Sequence, residues 1–427
     1  MKIDYSRKFE NYIKQTLFDK LTPQQQKFIR EIAFQYRFTF QELRQIVEIY
    51  RDLTMWGEGD LAEWWNRSVE ESPLKGELLK NRLLKKLQEY VTRLKRQPKS
   101  YPQQGLPKPR QREKLKIVAE ASDKKIYGMC PVASDKTVCC NLRVIDVVER
   151  CAFGCSYCTI QTFYSDQFVF DKDLVQKLKS IPIEPNRYYH FGTGQSSDSL
   201  VWGNKFGILD ALFEFALEHP NVLLEFKTKS NNIRYLLEHD VPPNIVCSWS
   251  LNTPTIIKNE EHFTASLEQR LDAARQLASK GVGVAFHFHP MVYYKNWEEE
   301  YACLATELMN RFKPEEVLFV SFGSVTFIKP VIKQIRKSGL YTKMTQMEMV
   351  TDPHGKLTYP DDVKIHMFRH MYQALSPWHG KVFFYLCMEK SLIWERVFGF
   401  VYKNNEEFEN DFLTQVMQKI YARSLAA

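Results

Sequence analysis

The chain has 427 residues, of which 44% are hydrophobic, 14% aromatic and 26% charged, with 59 Lys or Arg against 51 Asp or Glu. This composition excludes disorder over most of the length and leaves apolar material for two or three domains, or for one α/β barrel with extensions. The net charge of +8 permits a polyanionic partner without requiring one.

Residues 1–92 read as a helical amino-terminal domain. Phe9, Tyr12, Ile13 and Leu17 recur at helical spacing, as do Leu43, Ile46, Val47 and Tyr50. Capping boxes at Thr22 to Gln25 and Thr39 to Glu42 mark two helix starts. From Arg93 to Lys116 nine Lys or Arg stand against Glu113 alone, with four prolines and no apolar period. Residues 93–127 are therefore expected to be a basic, Pro/Gln-rich linker, either a solvated tether or a strand that touches phosphates.

Beyond the linker the pattern becomes strand then helix, repeated. Apolar runs at Leu142–Val148, Tyr188–Phe191, Val222–Phe226, Ile245–Leu251, Val282–Phe288 and Val317–Phe322 imply six βα units. The clearest intervening helix, Ser266–Lys280, opens on a capping box and stops at Gly281. Six such units predict a partial (β/α)6 barrel of the TIM type over 128–340, and residues 341–427 read as an α/β carboxyl-terminal extension. Chemistry in that geometry collects at the carboxyl ends of the strands. The residues there are polar: Cys151 to Cys158, Gly192 to Gln195, Lys229, Ser248 and Ser250, His287 and His289, and Ser321 and Ser324.

Nine cysteines are an odd count, and three of them stand within eight positions as Cys151, Cys155 and Cys158. Such crowding suits a metal better than a disulfide framework and points to a reducing, cytoplasmic compartment. No apolar run approaches the roughly 20 residues that cross a bilayer, and the opening MKIDYSRKFENYIKQ lacks a signal peptide's apolar centre. No membrane partner is expected. Composition alone produces the C-x3-C-x2-C spacing about 0.4% of the time. Three thiolates on a short loop suit three irons of a [4Fe–4S] cube and leave the fourth iron open. Zinc remains an alternative if Cys139 or Cys140 lends a fourth thiol.

With Tyr157 as the aromatic of C-x3-C-x-aromatic-C, the chain resembles the radical S-adenosylmethionine superfamily. CSYCTIQTFY, GTGQSSDSL, LEFKTKSNN, SWSLN, TASLEQRLDAA and FHFHP, in this order, narrow the likeness to the spore photoproduct lyase family over about Leu142 to Pro290. The resemblance implies that the open iron chelates S-adenosylmethionine and that the reduced cluster cleaves it to a 5′-deoxyadenosyl radical. It also implies a low-potential flavodoxin- or ferredoxin-type electron donor and, as substrate, a pyrimidine lesion in DNA. Lys229 matches a lysine that neutralises the cofactor carboxylate. Ser197 and Ser250 match residues that hydrogen-bond the cofactor, and Gly192 and Gly194 suit close approach of backbone to ligand. Tyr157 would bring its backbone to the adenine and keep its hydroxyl for other work. Asp198 would orient ribose or loop backbone, and His289 matches a residue close to the cofactor.

The pattern departs from the family at two positions. The cysteine that returns a hydrogen atom to product is replaced by Gln195, and the tyrosine that follows the third cluster cysteine is replaced by Thr159. An amide N–H is a far worse hydrogen-atom donor than a thiol. Tyr157, Tyr164, Cys139, Cys140 and Cys247 are the candidate substitutes, although Cys247 should face away from Ser248 and Ser250. Two other functions stay open: a radical enzyme for another substrate, such as a modified nucleic acid or a metabolite, and a nucleic-acid-binding or redox-sensing iron–sulfur protein without turnover.

Overall fold

A computed structural model describes residues 4–109, 115–131, 134–160 and 166–426. By its internal contacts the chain divides into a unit of residues 1–110 with 327–350 and a unit of residues 111–326 with 351–427.

The first unit is helical. Helices α1 (Tyr5–Ile13), α2 (Pro23–Tyr36), α3 (Phe40–Trp56), α4 (Leu61–Glu70) and α5 (Gly76–Arg96) follow in order. Both expected capping boxes form, with Thr22 and Thr39 accepting from Gln25 and Glu42 amides while those side chains reach back. Phe9, Ile29, Leu43, Val47, Trp56, Leu61 and Leu83 are among its buried side chains. The returning segment 327–350 belongs to this core. Its helix Lys329–Lys337 places Arg336 on Asp52 at 2.7 Å and Glu48 at 3.0 Å, and Trp56 donates to Thr345 at 2.9 Å. The sequence reading had put 327–340 in the barrel and 341–350 in the extension. Arg93 to Arg96, read as linker, are the last turn of α5. Ile117–Glu120, also read as linker, pairs in parallel with Phe168–Asp171.

The second unit is built on one eight-stranded sheet. Its strands are β1 (Tyr127–Met129), β2 (Arg143–Ile145), β3 (Tyr189–Thr193), β4 (Val222–Thr228), β5 (Ile245–Ser250), β6 (Gly283–Met291), β7 (Val317–Ser324) and β8 (Phe383–Leu386). They lie in sequential order, β2 to β8 parallel and β1 antiparallel at the edge, and the sheet curls into an open half-barrel. Strands β2 to β7 are the six read from sequence. β4 and β5 carry almost continuous buried runs because helices cover one face and the barrel interior the other. The helix Leu267–Ser279 is capped by Ser266 as expected. β8 comes from the extension and extends the sheet at β7. Within the extension Trp394 is fully buried, whereas Met388 and Phe398 are half-buried. Among the described residues no helix is long and apolar enough to cross a membrane.

Candidate active site

The carboxyl ends of the parallel strands open on a cavity of about 300 Å³. The loop after β2 supplies Cys151, Cys155, Tyr157 and Cys158, and the loop after β3 supplies Gly194, Gln195, Ser197 and Asp198. Lys229 follows β4, Ser250 ends β5, His289 lies on β6, Gly323 and Ser324 end β7 and Cys387 follows β8. Each parallel strand from β2 to β8 therefore contributes, as a barrel mouth requires.

The cysteine loop is held from below. Gly154 and Cys155 form a two-residue antiparallel bridge with His262 and Glu261. The Ser156 amide and hydroxyl donate to the Glu260 carbonyl at 2.9 and 3.1 Å, and the hydroxyl also meets the Glu260 carboxylate. Tyr157 donates its hydroxyl to Glu261, whose carboxylate is clamped at 2.6 Å by the fully buried Arg270. Arg270 also donates to the Ser250 and Ala265 carbonyls. Burial tends to raise the Glu261 carboxyl, but Arg270 and Lys229 outweigh it and hold it below the usual range. The Tyr157 phenol is therefore committed, and burial beside Glu261 pushes it well above its ordinary value. This corrects the expectation of a free hydroxyl.

Burial pushes the Cys151 thiol up to about 12 and Cys155 well above its ordinary value, with Lys229 opposing both shifts. Bare thiolates at Cys151 and Cys155 are thus unfavourable, and a cationic centre bound to them would offset that cost. The Phe153 amide already donates to Cys151 Sγ at 3.4 Å. Among the described residues no three His, Cys, Asp or Glu side chains converge on one metal ion. An iron–sulfur cube distributes its thiolates over three separate irons and needs no such convergence. Cys139 and Cys140 are buried and are not among the residues that line the cavity.

The β3 loop is shaped for close approach. Gly194 has φ +93°, and a Cβ there would lie 2.7 Å from both the Lys227 carbonyl and Ser199 Oγ. Ser197 Oγ is buried at the cavity with no hydrogen-bond partner among the described residues, a hydroxyl suited to a ligand. Asp198 is the organiser of this corner: it accepts from the Lys229 amide at 2.7 Å, Thr228 Oγ1 at 2.8 Å and the Leu200 and Val201 amides. Of its two expected roles, the structure shows the backbone one. Lys229 Nζ stands 5.9 Å from the Tyr157 ring centre. Gly192 does not line the cavity. It sits inside β3 between Val144 and Glu225, where a Cβ would meet Leu142 at 3.1 Å, so the need for glycine there is one of packing.

Beneath the mouth lies a polar network that joins Ser248, His287, His289 and Ser321, expected at the strand ends, to His190, Glu225 and Lys227, which sequence reading missed. Glu225 accepts from His190 at 2.8 Å, His287 at 2.5 Å and Ser248. Ser321 links His287 at 2.5 Å to His289 at 3.0 Å, and Lys227 meets His289 at 3.3 Å. Burial, then the nearby Lys227, lowers His287 to about 4, so a neutral imidazole bonds an ionised Glu225. The sequence showed no carboxylate or third histidine near His287 and His289; folding brings both from β3 and β4. Their common signal was a polar residue inside otherwise apolar strands. His289 reaches the cavity and His287 does not.

Of the proposed hydrogen-donor substitutes, Cys247, Cys139 and Cys140 lie outside the lining, and Tyr164 lies outside the described residues. Cys387, which sequence reading passed over, lines the cavity, and burial raises its thiol so that it stays protonated.

A family model described as spore photoproduct lyase matches residues 138–372. Spore photoproduct lyase of Clostridium acetobutylicum is 28% identical over 182 residues, 41% of this chain and 54% of that protein. The Bacillus subtilis protein of the same name is 25% identical over 209 residues, 47% of this chain and 61% of that protein. The chain thus spans between 54% and 61% of the length of these relatives. A solved spore photoproduct lyase double mutant with bound AdoMet and dinucleoside spore photoproduct superposes with TM-score 0.53 at 21% identity, covering 63% of this chain and 81% of that one. A second, complexed with dinucleoside spore photoproduct, gives 0.53 at 20% identity over the same shares. At these identities the likeness is one of fold.

Proposed function

The chain belongs to the spore photoproduct lyase family of radical S-adenosylmethionine proteins, and from that premise we propose that it repairs a pyrimidine lesion in DNA in the cytoplasm. The observation that carries this reading is the convergence of Cys151, Cys155, Cys158, Gly194, Ser197, Lys229 and Ser250 on one cavity from four consecutive strand ends. Cys151, Cys155 and Cys158 would hold a [4Fe–4S] cluster, and Lys229, Ser197, Ser250 and the Gly194 backbone would hold S-adenosylmethionine. When bound, the cluster and cofactor supply, with one electron from a flavodoxin- or ferredoxin-type donor, a radical able to remove a hydrogen atom from substrate.

The chain's own residues set the conditions for that chemistry. Lys229 offers a compact ammonium to the cofactor carboxylate. Ser197 offers an unused hydroxyl. Asp198 fixes the Lys229 backbone, and the Glu261–Arg270 pair fixes the cysteine loop through Tyr157. Gln195 stands at the family's donor position with no usable hydrogen atom. Cys387 takes that role: its S–H bond breaks as a C–H bond forms on the substrate radical, and the unpaired electron remains on sulfur.

Anaerobic, cluster-loaded protein with reductant tests the whole reading in deuterated water. S-adenosylmethionine cleavage is expected to be at least tenfold faster with ultraviolet-irradiated DNA than with undamaged DNA, and repaired product should carry solvent deuterium. With Cys387→Ala, first-turnover cleavage should persist while product deuterium disappears. Equal cleavage on both DNAs would remove the repair assignment, and deuterium retained in Cys387→Ala would remove the thiol's role.

A further inference from the structure

The charge of this chain is unevenly placed. Residues 1–110 with 327–350 contain 27 Lys or Arg against 15 Asp or Glu, a net +12, so the sheet-bearing unit carries −4 of the total +8. Within the helical unit the excess is narrower still. Residues 1–81 are balanced, 13 against 13, whereas residues 82–110 have nine basic residues against Glu89, and 327–350 have five against Glu348.

Folding brings these two basic segments together. The Glu348 amide donates to the Lys95 carbonyl at 2.8 Å at the end of α5, and Arg96 reaches Glu348 at 3.4 Å. Some of the charge is consumed internally: Lys343 pairs with Glu58, and Arg336 with Asp52 and Glu48. Lys86 also pairs with Glu71, Lys99 is buried and Lys95 is half-buried over Trp56, which leaves two exposed sets. On α5, Arg82, Lys85 and Arg93 fall within one 100° arc at 3.6 residues per turn, opposite the buried Leu83, Leu87 and Val91. On the returning helix, Lys329, Lys333 and Lys337 recur every four residues and are all exposed. Arg82, Lys85 and Arg93 have no carboxylate in ion-pair reach among the described residues. A helix of 21 residues such as α5 is about 31 Å long, close to one turn of duplex DNA, along which phosphates present one charge per about 1.7 Å.

We infer that the exposed basic faces of α5 and the Lys329–Lys337 helix form a docking surface for the phosphate backbone of duplex nucleic acid. The choice of a polynucleotide over other polyanions rests on the proposed function, while the surface itself rests on the charge placement. The contacts are to phosphates, so the surface binds without regard to sequence or damage and raises the local concentration of substrate. It lies outside the part of the chain that the family model matches, apart from the returning segment.

The test uses the full-length, cluster-loaded protein and an undamaged 30-base-pair duplex, titrated by fluorescence anisotropy at several salt concentrations without S-adenosylmethionine. The combined Arg82→Gln, Lys85→Gln and Arg93→Gln variant is expected to bind at least tenfold more weakly at low salt. Its slope of log affinity against log salt should shrink by about 2 to 3, as roughly 0.9 per lost phosphate contact requires. A control removing equal charge from the other unit, Lys172→Gln, Lys205→Gln and Lys313→Gln, should change neither quantity by more than about twofold. Equal losses in both variants, an unchanged slope, or tighter binding to phosphatidylserine vesicles than to duplex would overturn the inference. If the α5 variant loses duplex while irradiation has no effect on cofactor cleavage, the docking surface stands and the repair reading falls.

Discussion

At the scale of single residues, the site depends most on positions where a side chain is absent or unused. Gly194 is required twice over, by its φ of +93° and by the 2.7 Å that a Cβ would leave to the Lys227 carbonyl. Gly194→Ala should cost about 1–3 kcal/mol from backbone strain. It should weaken S-adenosylmethionine binding at least tenfold by calorimetry, with iron content unchanged; unchanged affinity would show that the β3 loop does not touch the cofactor. Ser197 shows the complementary case, a buried hydroxyl with no hydrogen-bond partner among the described residues. Sequence reading found both residues through their resemblance to the family, because a glycine or serine after a strand is otherwise a common turn former. Cys387 had no such marker. It follows β8, far along the chain, and only the parallel pairing of β8 with β7 brings it to the mouth.

At the scale of elements, the cysteine loop has little regular structure of its own and borrows rigidity from the Glu260 to His262 segment and from Arg270 on the helix Leu267–Ser279. Arg270 is buried completely, and its pair with Glu261 is closed to water. Removing one member strands the other charge, which costs about 3–5 kcal/mol in such settings. Arg270→Met should therefore lower thermal stability and reduce iron and sulfide per chain after anaerobic purification. The double variant Arg270→Met with Glu261→Gln should recover part of both, since no unpaired carboxylate remains; a double variant no better than the single would deny the pair this role. The capping boxes at Thr22, Thr39 and Ser266 were legible because they are local, using atoms three residues apart. The Glu225 network was not, since its members come from β3, β4, β5, β6 and β7.

At the scale of the whole molecule, the helical unit is discontinuous in sequence. Val331, Ile335, Met344 and Met347 are buried, and they belong with residues 1–110 rather than with the sheet that flanks them in the chain. A fragment of residues 111–427 leaves those apolar side chains without their partners. It should express as aggregate, whereas the same fragment with 327–350 replaced by a short Gly/Ser linker should be soluble and melt cooperatively; equal solubility of the two would mean that 327–350 finds its burial elsewhere. The amino-acid order alone determined the helical and βα alternation, the three-cysteine loop and the six inner strands, because each is written in spacings of two to four residues or in one short loop. Tertiary structure alone decided that β8 extends the sheet, that Cys387 joins the cavity, that Tyr157 is bound to Glu261, and that two distant basic segments share one unit. Those outcomes depend on which buried surfaces and charges meet across hundreds of residues, and no local period encodes such meetings.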